Sequence, residues 1–243
     1  MKKILGFIAF FIITSIFSYS HAKDIQFSTD YTNQMFKDLA RDFGVALAFN
    51  PMAPAEPLGI TGFDISVETT FTEVDQNKDY WKKIFKDQDA WPIIPVPRLH
   101  AMKGLPMNID IGAMYSKVPG SDIQLWGVEL KYAILSGTPL TPALAVRGAF
   151  SKLEGVDELD INTQQIDLSI SKGILFLTPY AGVTALRVNA SESSKYVDLD
   201  DVHEMIYRAF AGISITPFPF LNFTVEGSAG QVKQLGLKLG IRW

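Results

Sequence analysis

Ionisable residues recur at alternate positions through much of this chain, and any chemistry would begin with that spacing. Asp64, Glu68, Asp110, Glu129, Lys131, Arg147, Asp160, Asp167, Arg208, Glu226, Lys238 and Arg242 all lie in runs that alternate polar and apolar residues. Residues two apart in an extended chain share a face, so these charges gather on one side of each run. Enclosed in a dry interior, opposite charges would neutralise one another as a structural network. In an open interior they would line a narrow pore for small solutes. Beyond the first 22 residues there are two histidines, His100 and His203, too few to support a metal cluster. Asp201 and His203, two apart, share one strand face. No GxSxG element and no P-loop is present, so no residue is assigned to catalysis, to a metal or to a cofactor.

The elements that must position these residues are mostly strands. Met1-Lys2-Lys3, an apolar run and Ser20-His21-Ala22 form a cleavable leader over residues 1–22, with cleavage after Ala22. Residues 23–57 hold a helix near 30–47, striped by Met35, Phe36, Leu39 and Phe43, then a linker with Pro51, Pro54 and Pro57. From about residue 58 the period changes to two. Phe63, Ile65, Val67, Thr69 and Phe71 oppose Asp64, Ser66, Glu68 and Thr70. A second helix near 76–90 carries Tyr80, Trp81, Ile84 and Phe85, and Pro92, Pro95 and Pro97 end it. Alternating runs with short turns continue to Trp243, and Gln164-Gln165 interrupts the alternation as a bulge would. The count is ten strands, or eight if Arg98–Lys103 is set aside.

Apolar-polar strands of this length build either a soluble sandwich with its apolar face inward or a membrane barrel with that face outward. Glycines 112, 127, 148, 212, 227, 236 and 240 mostly lie within strands, on the polar face, where a narrow interior needs small residues. Phe71, Tyr115, Trp126, Phe150 and Trp243 stand towards strand ends, as interfacial girdles do. With the leader, these features predict an all-β, antiparallel up-and-down transmembrane barrel over 58–243, with two short amphipathic helices. The chain has no Cys, carries a net charge of −4 with mixed signs, and offers no nucleic-acid surface.

The ending LGLKLGIRW resembles the C-terminal signal of Gram-negative outer-membrane β-barrels, with Leu239, Ile241 and Trp243 as its apolar positions. That resemblance implies an outer-membrane location, contact with membrane lipid and lipopolysaccharide, and recognition by the barrel-assembly machinery. It also implies a periplasmic last-strand end, so the 30–47 helix is expected in the periplasm and the Tyr80–Phe85 helix outside. The stripe of the first helix must bury against something, so that helix is expected to plug the lumen from the periplasmic side, with a partner or the lipid boundary as the alternatives. The Asp201-Val202-His203 spacing is similar to the Asp-x-His element of omptin proteases, in which such a pair works with two further Asp residues on a water. Asp198, Asp200 or Asp160 would have to supply them, and no second Asp pair lies on a facing strand. His100 with a Ser is similar to a lipid-A deacylase pair, but no Ser holds a matching position. The expectation is a monomeric, non-enzymatic barrel with a structural, adhesion-like or small-ligand-binding role. The alternatives are a narrow solute channel, a surface hydrolase and a secreted soluble β-sandwich.

Overall fold

The computed structural model describes residues 27, 29–84, 92–194 and 197–243. The expected leader and Phe85 lie outside them. Ten antiparallel strands follow in chain order: β1 (Phe63–Glu73), β2 (Ile93–Leu105), β3 (Ile109–Lys117), β4 (Gln124–Ser136) and β5 (Ala143–Glu154), then β6 (Leu159–Ser171), β7 (Leu177–Glu192), β8 (Val202–Phe218), β9 (Leu221–Ala229) and β10 (Gln234–Arg242). Each pairs with its neighbours and β10 returns to β1, closing a barrel. Trp243 completes the seam, donating its N–H to Phe63 O at 2.9 Å and accepting the Phe63 N–H at 3.0 Å. A chain that ends inside a ladder leaves no strand edge.

Alternation sorts the side chains as a barrel requires. Ile65, Leu99, Val128, Leu130, Ile166 and Leu235 are exposed on the outside, while Asp64, Glu68, Asp110, Glu129, Asp167 and Glu226 are buried inside. The core therefore sits in the lumen and is polar at mid-height.

Four sequence expectations change. Asp160 faces outward beside Lys152 at 3.5 Å, because the inward residues of β6 are the odd-numbered ones. No bulge occurs at Gln164-Gln165, where both ladders of β6 run continuously; register shifts fall instead at Ala133/Leu135 and Ile215/Phe218. Gly148 and Gly227 face outward, with nothing within 4 Å of a Cβ placed on them. And Pro95 and Pro97 belong to β2, which is longer than Arg98–Lys103 alone. Val74 N–H bonds Pro92 O at 2.9 Å; alternate residues Ile94, Val96 and Arg98 thus aim their backbone groups at β1. The two prolines aim theirs at the side where β3 pairing has stopped, since that pairing begins at Leu99↔Tyr115. There a missing donor costs no ladder bond.

The N-terminal segment occupies the barrel interior. Helix α1 (Asn33–Leu47) is capped by Thr32, whose hydroxyl accepts the Met35 N–H at 3.3 Å. It sits in the mouth opposite Trp243, with Phe36, Leu39 and Val45 fully buried. Helix α2 (Asp79–Ile84), in the β1–β2 connection, covers the same mouth. An α1 in the periplasm and an α2 outside therefore cannot both hold. The physical reason is mutual burial: Trp81 packs on Phe43 at 5.4 Å between ring centroids, and its indole N–H bonds Asp42 at 2.9 Å. After Ala48 the chain passes through the lumen without regular secondary structure, turning at Met52 (φ 44°), and emerges at the Trp243 rim to begin β1.

Candidate functional site

The interior charges form a belt around the wall. Lys238 of β10 lies 3.0 Å from Asp64 and 3.7 Å from Glu68, both on β1. His100 of β2 sits between Glu68, at 2.7 Å from Nδ1, and Glu129 of β4, at 2.9 Å from Nε2. Arg147 of β5 donates to Glu129 and to Asp167 of β6. Asp167 also accepts from the Thr184 hydroxyl of β7 at 2.6 Å and from Gln165 Nε2 at 2.8 Å. Lys131 of β4 pairs with Asp110 of β3 at 3.0 Å. Tyr180 of β7 donates to Glu226 of β9 at 2.8 Å. Every one of these groups is buried, so the belt holds only because nearly all its charges have opposite neighbours.

Part of the remaining hydrogen-bonding capacity of the belt is spent on backbone, while Asp64 Oδ1, Glu68 Oε2 and Arg98 Nε have no hydrogen-bond partner among the described residues. Arg98 of β2 donates to Ala48 O at 3.0 Å, Arg147 to Phe49 O and to Asn50 O at 3.3 Å, and Ser151 to Leu47 O at 2.9 Å. Lys131 donates to Pro54 O at 3.1 Å and to Glu56 O at 3.0 Å. In the other direction, Glu226 accepts the Met52 N–H at 3.0 Å, Ser171 the Ala55 N–H at 3.1 Å and Asp110 the Leu58 N–H at 3.0 Å. Asn50 adds its side chain, donating to Gln234 of β10 at 2.5 Å. Pro51, Pro54 and Pro57 help explain how a chain without regular secondary structure survives here. They lack N–H groups, so this segment needs fewer acceptors than an ordinary strand.

At the mouth, α1 is fixed by side chains of its polar face. Arg41 bridges Asp38 at 3.0 Å and Glu204 of β8 at 2.9 Å, and Asn33 donates to Asp200 at 2.5 Å. Asp42 accepts from the Tyr80 hydroxyl and the Trp81 indole, both at 2.9 Å. Burial pushes its carboxyl above the ordinary range despite those donors. Burial, with Asp42 next in effect, likewise raises the Tyr80 phenol. The phenol is therefore the donor of the pair.

The belt thus joins Asp64, Glu68, Asp110, Glu129, Lys131, Arg147, Asp167, Glu226 and Lys238. Arg208, also buried, bonds Gln234 at 3.1 Å and Asn50 at 3.3 Å. Arg242 has the inward register but stays partly exposed near the Trp243 rim. Sequence reasoning missed Arg98, His100, Gln165, Tyr180, Thr184 and Gln234 as members. Extending the parity of β1 across to β2 would have found the first two, because Glu68↔Arg98 and Ser66↔His100 are register pairs. His203 is exposed and contacts Asn189 Oδ1 at 2.9 Å. Asp200, one of the carboxylates considered as its partner, is engaged with Asn33 at 2.5 Å. Among the described residues, no group of three or more His, Cys, Asp or Glu is arranged to hold a metal ion.

No protein-family model matches the chain, and no curated protein sequence does. Solved structures of similar shape are bacterial β-barrels. The N-terminal β-barrel domain of OprF from Pseudomonas aeruginosa is 12% identical, with 74% of this chain and 97% of that one covered and a TM-score of 0.36. The outer membrane protein Ail of Yersinia pestis is 12% identical over 74% and 99%, TM-score 0.36. Neisserial surface protein A is 10% identical over 74% and 95%, TM-score 0.34.

Proposed function

We propose that this chain is an outer-membrane β-barrel sealed by its own N-terminal segment, with a structural and surface-presenting role and no catalytic one. The observation that carries this reading is the threaded segment. Backbone groups from Leu47 to Leu58 are held by wall side chains that would otherwise line a pore. The membrane part rests on the outward apolar face. The β10 run from Leu235 to Trp243 rises about 21 Å at ~3.4 Å per residue and a ~40° tilt, near the ~25 Å apolar band of such barrels. Among the described residues, no helix is long and apolar enough to cross a membrane.

Connection lengths support an orientation. The connections at 74–92 and 193–201 lie at the rim opposite Trp243, while the Trp243 rim has short turns such as 106–108 and 219–220. Outer loops exceed periplasmic turns in this architecture, so α1 and α2 cap the outer mouth. Leu239, Ile241 and Trp243 then end at the periplasmic face, as an assembly signal would.

Planar-bilayer recording tests the sealed lumen. Protein whose incorporation is verified by a heat-dependent gel shift is expected to show no conductance steps. Steady ohmic conductance by the intact chain would overturn the seal and favour the narrow-channel reading.

A further inference from the structure

The turns at the Trp243 rim carry large apolar residues at their tips, fully in the open. Leu140 is 92% exposed, Leu175 96% and Met107 77%, and Phe220 is half exposed. Backbone geometry makes this choice costly. Met107 (φ 63°), Leu175 (φ 57°) and Phe220 (φ 73°) all occupy the left-handed region, where glycine or asparagine fits best. A turn in water gains nothing by placing Leu or Phe there.

The two rims also differ in charge density. The turns at 106–108, 137–142, 172–176 and 219–220 have Lys172 as their one charged residue, and Glu56 reaches them only to accept the Gly173 N–H at 3.1 Å. The opposite rim presents Asp75, Asp79, Asp122, Asp157, Glu158, Asp198, Asp200 and Asp201 together with Lys78, Lys82, Lys83, Lys152 and Lys233. Lys172 folds its ammonium onto Thr138 O at 2.9 Å and Pro139 O at 2.7 Å, and so ties two neighbouring tips together.

We propose that this ring of turns is a lipid-interface anchor: Met107, Leu140, Leu175 and Phe220 enter the headgroup–acyl boundary of the periplasmic leaflet, while Lys172 braces two of the tips from within. This inference rests on the membrane reading above and deepens it. Lipid is the occupant because the tips continue the outward apolar face of the strands they join. They also lie on four successive hairpins around the barrel, whereas a protein partner would cover one side. Apolar side chains on turns this poor in charge suit that boundary.

The chain has no Cys, so single-cysteine probes report cleanly. Full-length Leu140→Cys, Leu175→Cys, Val128→Cys (mid-belt) and Asp157→Cys (opposite rim) would each carry a bimane label. They would be reconstituted in phosphatidylcholine–phosphatidylglycerol vesicles. Quenching by shallow acyl-chain nitroxides is compared with quenching by iodide. The expected ratio of lipid to aqueous quenching is several-fold higher at 140 and 175 than at 157, and comparable to that at 128. Tips that behave like 157 while 128 remains lipid-quenched would overturn the anchor and leave the membrane barrel standing. A mid-belt probe quenched by iodide alone would bring down both.

Discussion

Arg147→Met isolates what the interior charges contribute. The guanidinium donates to Glu129, to Asp167 and to the carbonyls of Phe49 and Asn50, and it is buried. Met fills similar volume without any donor. Glu129 keeps His100, and Asp167 keeps Thr184 and Gln165. Even so, two buried carboxylates lose their strongest partner together, a loss worth about 3–5 kcal/mol. An exposed ion pair provides the control. Lys233 lies 3.7 Å from Glu73 at the rim opposite Trp243, with both side chains largely in solvent, so Lys233→Met should cost roughly 0–1 kcal/mol. Equilibrium urea unfolding in lipid vesicles, followed by tryptophan fluorescence, measures both. Arg147→Lys should fall between them, because one ammonium cannot reach all four acceptors. If Arg147→Met lies within about 1 kcal/mol of Lys233→Met, the belt does not hold the barrel and the argument fails.

The cap formed by α1 and α2 gives a pH dependence whose sign follows from burial. The Asp42 carboxyl is held above its ordinary value, so the folded cap binds a proton more tightly than the open one. Its stability is then full in acid and declines as pH rises from about 4 through the raised folded value. Proteolysis within α1 should accelerate over that interval, and Asp42→Asn, which retains an acceptor oxygen, should flatten the profile. Gly44 packs against Val188 so closely that a Cβ would lie 2.6 Å from Val188 Cγ1. Gly44→Ala should loosen the cap by about 1–3 kcal/mol, and Val188→Ala in the same chain should restore protease protection. Trp243 stacks on Phe220 at 4.5 Å, with 5° between ring planes, and pairs its backbone with Phe63. Trp243→Ala should lower the fraction of chain that shows the heat-dependent gel shift in isolated outer membranes.

Much of the fold was legible in the sequence because one period controls it. Alternation in runs such as Phe63–Glu73 and Gln234–Arg242 assigns every side chain to a face, and ten such runs suffice to close a barrel. The errors came where local pattern and long-range register part. Pro95 and Pro97 read as helix terminators, yet a strand tolerates them where its neighbour has ended. Asp160 has the chemistry of an interior residue but the parity of an exterior one. The belt was legible as a set of residues and not as a site, since its purpose depends on a partner with few charges of its own. Segment 47–58 is recognised through backbone carbonyls and N–H groups, and no side-chain motif announces that. The side of the barrel on which α1 sits was out of reach for a related reason. Its stripe says only that Phe36 and Leu39 need cover; the matching surface, around Trp81 and Val188, comes from strands and loops distant in sequence.

The seal is tested most directly by joining segment to wall inside the membrane. Ala55 donates its N–H to Ser171 of β6 at 3.1 Å, so Ala55→Cys with Ser171→Cys places two thiols within reach of a short bismaleimide. In isolated outer membranes, the account predicts an intramolecular cross-link and slow reaction of either cysteine with a bulky hydrophilic maleimide. Rapid labelling of both by that reagent, without a cross-link, would mean that the segment does not occupy the lumen.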